Sequence, residues 1–204
     1  MGLRSRLFTW FFRRVFRLLC RLDLRGLDAL PFHGPGLIVT NHTSDIEGPL
    51  LYVLLRPRAT TALGKSELWK FFATRMLMEA WKVIPLHRGR LDRRALDRAQ
   101  GILDRGDFLC LAPEGRRSPD GTLQRGQPGA VWFALENAVP IYPLAVWGTR
   151  ELFHELLHLR RPVLHVRTGE PFRVGPGLDR QQAADALMEK IAHLLPGELR
   201  GYYR

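Results

Sequence analysis

Over positions 3–22, apolar side chains recur every three to four residues, the period of an α-helix. Leu7, Phe8, Phe11, Phe12, Val15, Leu18, Leu19 and Leu22 fall on one half of the wheel. Arg6, Arg13, Arg14, Arg17 and Arg21 fall on the other, with Trp10 among them, while Leu3 and Arg4 fit neither face. Bulky apolar residues opposite arginines favour a helix lying in a bilayer surface over one packed on a domain with a solvated basic face. Residues 1–23 are therefore expected to form an amphipathic, membrane-associating helix, and residues 24–204 the domain that follows it.

From about residue 35 the period changes repeatedly. Short apolar runs mark strands at Gly36–Thr40, Thr60–Leu63, Val83–Leu86, Phe108–Ala112, Ile141–Val146 and Val163–Thr168. Helical patterns lie near 45–55, 66–80, 91–105, 127–138, 149–158 and 180–195. Alternation of this kind predicts an α/β fold, with a mixed, largely parallel central sheet flanked by helices. Pro140 and Pro143 interrupt one apolar run, which suggests a strand at a sheet edge or the apolar wall of a site. Arg200–Arg204 reads as a loose tail.

Charge narrows the partners. The chain of 204 residues carries a formal charge of +11. Such a surface suits nucleic acid, anionic lipid or phosphate-bearing small molecules. Nucleic acid is disfavoured, because no recognition motif accompanies the charge and the basic helix carries so many Phe and Leu. No run reaches about 18 apolar residues, so no membrane-spanning helix is expected. Cys20 and Cys110 form no disulfide framework, which points to a reducing, cytoplasmic setting.

Three junctions carry candidate chemistry. After the first buried run come Asn41, His42, Thr43, Ser44, Asp45 and, five residues beyond the histidine, Glu47. A histidine at a strand end faces the edge where α/β proteins place ligands. A carboxylate one turn on can fix its tautomer and leave the second nitrogen as a base. Asp45 competes with Glu47 for that part, and a histidine that merely caps a loop would look the same. The run Lys82–Arg90 ends a strand in a basic turn, where Arg88 can meet a phosphate. The run Phe108–Gly121 ends a strand at Pro113 and presents Glu114, Gly115, Arg116, Arg117 and Ser118 together; Gly115 permits close backbone approach.

These pieces, in this order, together with Val139–Pro143, resemble the glycerolipid acyltransferase family, typified by bacterial 1-acyl-glycerol-3-phosphate acyltransferase. Its first block matches Asn41, His42, Glu47 and Pro49, its second Ile84 to Arg88, its third Pro113–Ser118 and its fourth Val139–Pro143. Two positions depart from the pattern: the acid of the first block is Glu47 where Asp is usual, and Arg116 stands where Thr is usual.

The resemblance implies an acyltransferase that moves a fatty acyl group onto the hydroxyl of a lysophospholipid. It makes His42 the general base and Glu47 the residue that orients it, with Asp45 as the alternative acid. It makes Arg88 and Arg117 the ligands of the acceptor phosphate, in a pocket shaped by Glu114, Gly115 and Ser118. The co-substrate is a thioester of coenzyme A or of acyl carrier protein, and neither metal nor other cofactor is called for. The place of action is the cytoplasmic face of the membrane. Acylation of a different lipid or alcohol, an amino-lipid among them, and a non-catalytic lipid-binding role are the alternatives.

Overall fold

The computed structural model describes every residue except Met1, Arg88, Arg90, Leu91, Pro176 and Leu178. In chain order its elements are α1 (Leu3–Leu19), β1 (Arg21–Arg25), β2 (Gly36–Thr40), α2 (Glu47–Leu55), β3 (Thr60–Lys65), α3 (Phe72–Ala80) and β4 (Ile84–Leu86). They continue with α4 (Arg93–Asp104), β5 (Phe108–Leu111), α5 (Gly129–Asn137), β6 (Ile141–Trp147), α6 (Leu152–Leu157), β7 (Val163–Thr168) and α7 (Arg180–Leu194). The seven strands form one sheet in the order β1-β7-β6-β2-β5-β3-β4. Five run parallel, from β6 to β4, while β7 pairs antiparallel with β6 and carries β1 parallel to itself. The expected α/β architecture is the observed one.

Helices cover both faces, so the central strands are apolar on both sides. In β2, Leu37 and Val39 enter a core shared with α4, α5 and α7, whereas Ile38 enters a second core with Phe16 of α1, α2 and Leu152 of α6. In β6 the same alternation sends Ile141 and Ala145 to the first core and Tyr142, Leu144 and Val146 to the second.

Three expectations change. The first helix ends at Leu19 rather than 22, and Arg21–Arg25 is an edge strand. The strand with two prolines is interior, not an edge: β6 lies between β7 and β2. Its partner chain takes up one extra residue between Thr168, paired with Leu144, and Phe172, bridged to Ile141. Pro143 faces that bulge, where the regular ladder is already broken. Finally, the C-terminal residues are not a loose tail. They form two 3-10 turns, Gly197–Leu199 and Gly201–Tyr203, and the Tyr203 hydroxyl donates to Asp185 (2.8 Å) and accepts from the Gly126 N–H (3.0 Å).

Candidate active site

The C-terminal ends of β6, β2 and β5 lie side by side, and the chain leaving each delivers one polar side chain to a common point. His42 follows β2, Glu114 follows β5 and Thr149 follows β6. Asn41, just before His42, is buried and completes the β2–β6 edge: its amide donates to the Val146 carbonyl (2.7 Å) and accepts from the Val146 N–H (2.8 Å). The turn into Thr149 passes through Gly148 at φ +83, where a Cβ would sit 2.2 Å from the Val163 carbonyl oxygen. Only glycine fits there.

Glu47, at the start of α2, folds back one turn onto this point. Its Oε2 lies 2.8 Å from His42 Nδ1. Its Oε1 accepts from the Thr43 hydroxyl (2.6 Å), the Thr43 N–H (3.0 Å), the Ser44 N–H (3.1 Å) and the Thr149 hydroxyl (3.0 Å). The carboxylate is 3% exposed and the imidazole 24%. A carboxylate can only accept, so it places the imidazole proton on Nδ1 and leaves Nε2 as the basic nitrogen of the neutral ring. Among the described residues Nε2 has no hydrogen-bond partner. The far oxygen of Glu47 thus sits in a cage of donors.

The loop after β5 clamps the His42 peptide from both sides. Glu114 Oε1 accepts from the His42 N–H and the Ser118 N–H donates to the His42 carbonyl, both at 2.7 Å. Glu114 Oε2 accepts from the Gln124 N–H (3.0 Å), so both of its oxygens are occupied by backbone. Burial pushes its carboxyl up to about 7, against the lowering effect of those two N–H groups. Gly115 takes φ +69 in the turn, and a Cβ there would meet only Gln127 at 3.7 Å. Its role here is conformational. Ser118 is buried and joins Asp120 within the loop (2.9 Å). Arg117 reaches outward and pairs with Asp45 (2.7 Å), both partners about half exposed or more.

The predicted residues therefore separate. His42 and Glu47 come together as a pair, and Asp45 faces Arg117 instead of the imidazole. Glu114 and Ser118 hold the loop that frames His42, and Arg117 is the described candidate cation at the mouth. Arg88 lies outside the described residues. Thr43 and Thr149 were not singled out by sequence: Thr43 is legible as a cap residue beside the histidine, but Thr149 lies 102 positions from Glu47 and carries no local signal. Cys110, with its thiol pushed up to about 12 by burial, is no ready nucleophile. Among the described residues no group of three or more His, Cys, Asp or Glu side chains is placed to hold a metal ion.

A histidine–carboxylate pair at the end of one central strand of a largely parallel sheet, framed by a Glu-Gly-Arg-Arg-Ser turn, defines an α/β domain built around a single imidazole. The Acyltransferase family model matches residues 21–147, which is most of this domain, and the chain belongs to that family. It is 29% identical over 138 residues to the chloroplastic 1-acyl-sn-glycerol-3-phosphate acyltransferase of Brassica napus, covering 65% of this chain and 39% of that one. The chain thus spans about two fifths of that relative. A lyso-ornithine lipid O-acyltransferase of Pseudomonas aeruginosa is 28% identical over 213 residues, covering 96% of this chain and 80% of that one. In fold, the chain is similar to the crystal structure of the 1-acyl-sn-glycerophosphate acyltransferase PlsC from Thermotoga maritima. The TM-score is 0.73 at 23% identity, over 98% of this chain and 81% of the other.

Proposed function

We propose that the chain is an O-acyltransferase that moves a fatty acyl group from acyl-CoA or acyl carrier protein to the hydroxyl of a lysophospholipid such as 1-acyl-glycerol 3-phosphate. The observation that carries the proposal is the 2.8 Å contact between His42 Nδ1 and Glu47, which leaves Nε2 basic at the strand ends. In the forward step Nε2 takes the hydroxyl proton and the oxygen attacks the thioester carbonyl carbon. The tetrahedral intermediate collapses with cleavage of the C–S bond. The imidazolium returns its proton to the leaving thiolate, so the imidazole ends as it began. Glu47 holds the tautomer and stabilises the imidazolium, as the acid does in a hydrolase triad. No residue need form a covalent acyl intermediate.

Two acceptor classes suit the mouth. A phosphate would draw Arg117 away from Asp45, since a guanidinium fork matches phosphate oxygens. The exposed Asp45–Arg117 pair also offers both charges, which complements a headgroup bearing both an amine and a carboxyl group. The Pseudomonas relative, aligned over nearly the whole chain, supports this second reading by its name. Transfer from a labelled acyl thioester to a panel of 1-acyl-glycerol 3-phosphate and lyso-ornithine lipid distinguishes them. Labelled phosphatidic acid is the expected product; labelled ornithine lipid alone would replace the first reading by the second.

We place the protein at the cytoplasmic membrane surface through α1. Phe12 and Phe16 turn inward, while Leu3, Leu7, Trp10, Phe11 and Leu18 remain exposed beside the arginines. Phe72 and Met76 of α3 line an apolar groove with Leu7 and Phe11, which extends that face. No helix of the described residues is long and apolar enough to cross a membrane.

A further inference from the structure

We propose that the turn joining α6 to β7 is a second lipid-contacting element, which inserts its leucines into an anionic bilayer beside α1. The proposal rests on the membrane reading given above.

Helix α6 is apolar on two neighbouring faces, one turned inward and one turned to solvent. Leu152 and Leu156 point into the core, as a helix on a sheet requires. Phe153 and Leu157, one residue further on, point out, at 63% and 83% exposed. Leu159 follows at 96%. A helix with water on one face has no folding reason to present apolar residues there, and clustered exposed apolar groups mark an interaction surface.

The backbone at Leu159 strengthens the point. The Arg160 N–H reaches back to the Glu155 carbonyl (2.9 Å), the long closing bond of a helix C-terminus. The residue inside that loop takes a left-handed conformation, and glycine is the usual occupant. Here it is Leu159 at φ +56. A nearly fully exposed leucine therefore sits where glycine would be less strained, and the fold gains no packing from it.

Charge and continuity identify the occupant as lipid. Arg160 and Arg161 lie in the turn itself, with Glu155 on α6 and Glu151 at its far, N-terminal end. The Arg161 guanidinium donates to the carbonyls of Arg17 (2.9 Å) and Cys20 (3.0 Å), which ties the turn to the end of α1. Leu18, 74% exposed, stands next to that anchor among Arg14, Arg17 and Arg21. Leucines ringed by arginines match acyl chains beneath anionic headgroups. The connection from β6 to β7, which contains α6 and this turn, begins at Gly148, and the Thr149 hydroxyl that follows reaches Glu47. Seating the turn in the bilayer would therefore bring the mouth of the site to the interface from which a lysolipid must come.

The test is flotation with vesicles of phosphatidylcholine and phosphatidylglycerol, using the full chain and three variants. Leu157→Ser with Leu159→Gly should weaken vesicle partitioning by at least about tenfold, the loss of two leucines even partly inserted. Its thermal midpoint should stay at or above the parent's, because glycine relieves the strained position. Phe11→Ser, on α1, reports on the membrane reading independently. If the double variant floats like the parent while Phe11→Ser does not, the turn is not an anchor and the α1 reading stands. If the parent itself does not bind, both fall. Leu157→Trp supplies the second readout: vesicles containing brominated lipid should quench fluorescence beyond the parent's quenching, and no added quenching overturns the proposal.

Discussion

At the scale of single residues, the site depends on how one carboxylate is held. Glu47 Oε1 collects four hydrogen bonds and Oε2 meets the imidazole. Glu47→Gln would keep the oxygen toward the four donors and turn an amide N–H₂ toward Nδ1, so the imidazole proton must move to Nε2. The base is then lost, and kcat should fall by roughly a hundred- to ten-thousand-fold. Thr149→Val removes one of the four donors and should cost no more than about tenfold in kcat, with KM unchanged. Steady-state kinetics with a pH profile check both, and a Glu47→Gln enzyme near parental activity would refute the tautomer argument. Glu114 gives a pH prediction. Its folded value, about 7, lies above its ordinary 4.5, because burial favours the neutral acid. Its contribution to stability is thus complete below about pH 4.5 and lost as pH rises through 7. Thermal midpoints between these limits should fall for the parent relative to Glu114→Gln; parallel profiles would contradict the shift. Of these residues, His42, Glu47 and Glu114 were legible because they stand at strand ends in short motifs. Thr149 was not, since only the pairing of β6 with β2 brings it near.

At the scale of elements, α1 carries a buried and an exposed apolar surface that its sequence superimposes. The helical wheel places Phe11, Phe12 and Leu18 on one apolar half, and sequence offered bilayer and core packing as alternatives. The fold buries one part of that half and leaves the rest exposed. Phe16 is 5% exposed, and Phe12 meets the Trp81 ring edge-on at 5.4 Å, with Trp81 in turn stacked on Tyr52 at 4.2 Å. Phe16→Ala should therefore destabilise by about 3–5 kcal/mol, the usual loss for a buried phenylalanine. Phe11→Ser, more than half exposed, should change stability by no more than about 0.5 kcal/mol. Chemical denaturation distinguishes them, and equal losses would mean that α1 is buried on both sides. The end of this helix differs from the sequence expectation for a physical reason. Leu22 continues the helical apolar stripe, yet Arg21, Leu22, Asp23, Leu24 and Arg25 also alternate with the period of a strand. Pairing with β7 settles the competition in favour of the strand.

At the scale of the whole molecule, polar and apolar surfaces are arranged around one end of the sheet. The His42–Glu47 pair lies just beyond the C-terminal end of β2, at the end of the parallel sheet where the fold class places ligands. The long-range order of seven strands could not be read from sequence, although the alternation of elements gave the class. Exposed leucines and aromatics on α1, α3 and α6, with arginines between them, favour an interfacial enzyme whose acceptor arrives from the bilayer. The central claim is that the imidazole of His42 is the base for acyl transfer. The most direct test is single-turnover transfer of a labelled acyl group to 1-acyl-glycerol 3-phosphate by the parent and by His42→Ala. The account predicts a loss of a hundred- to ten-thousand-fold or so in the variant, with the fold intact. Transfer at the parental rate by a folded His42→Ala protein would contradict it.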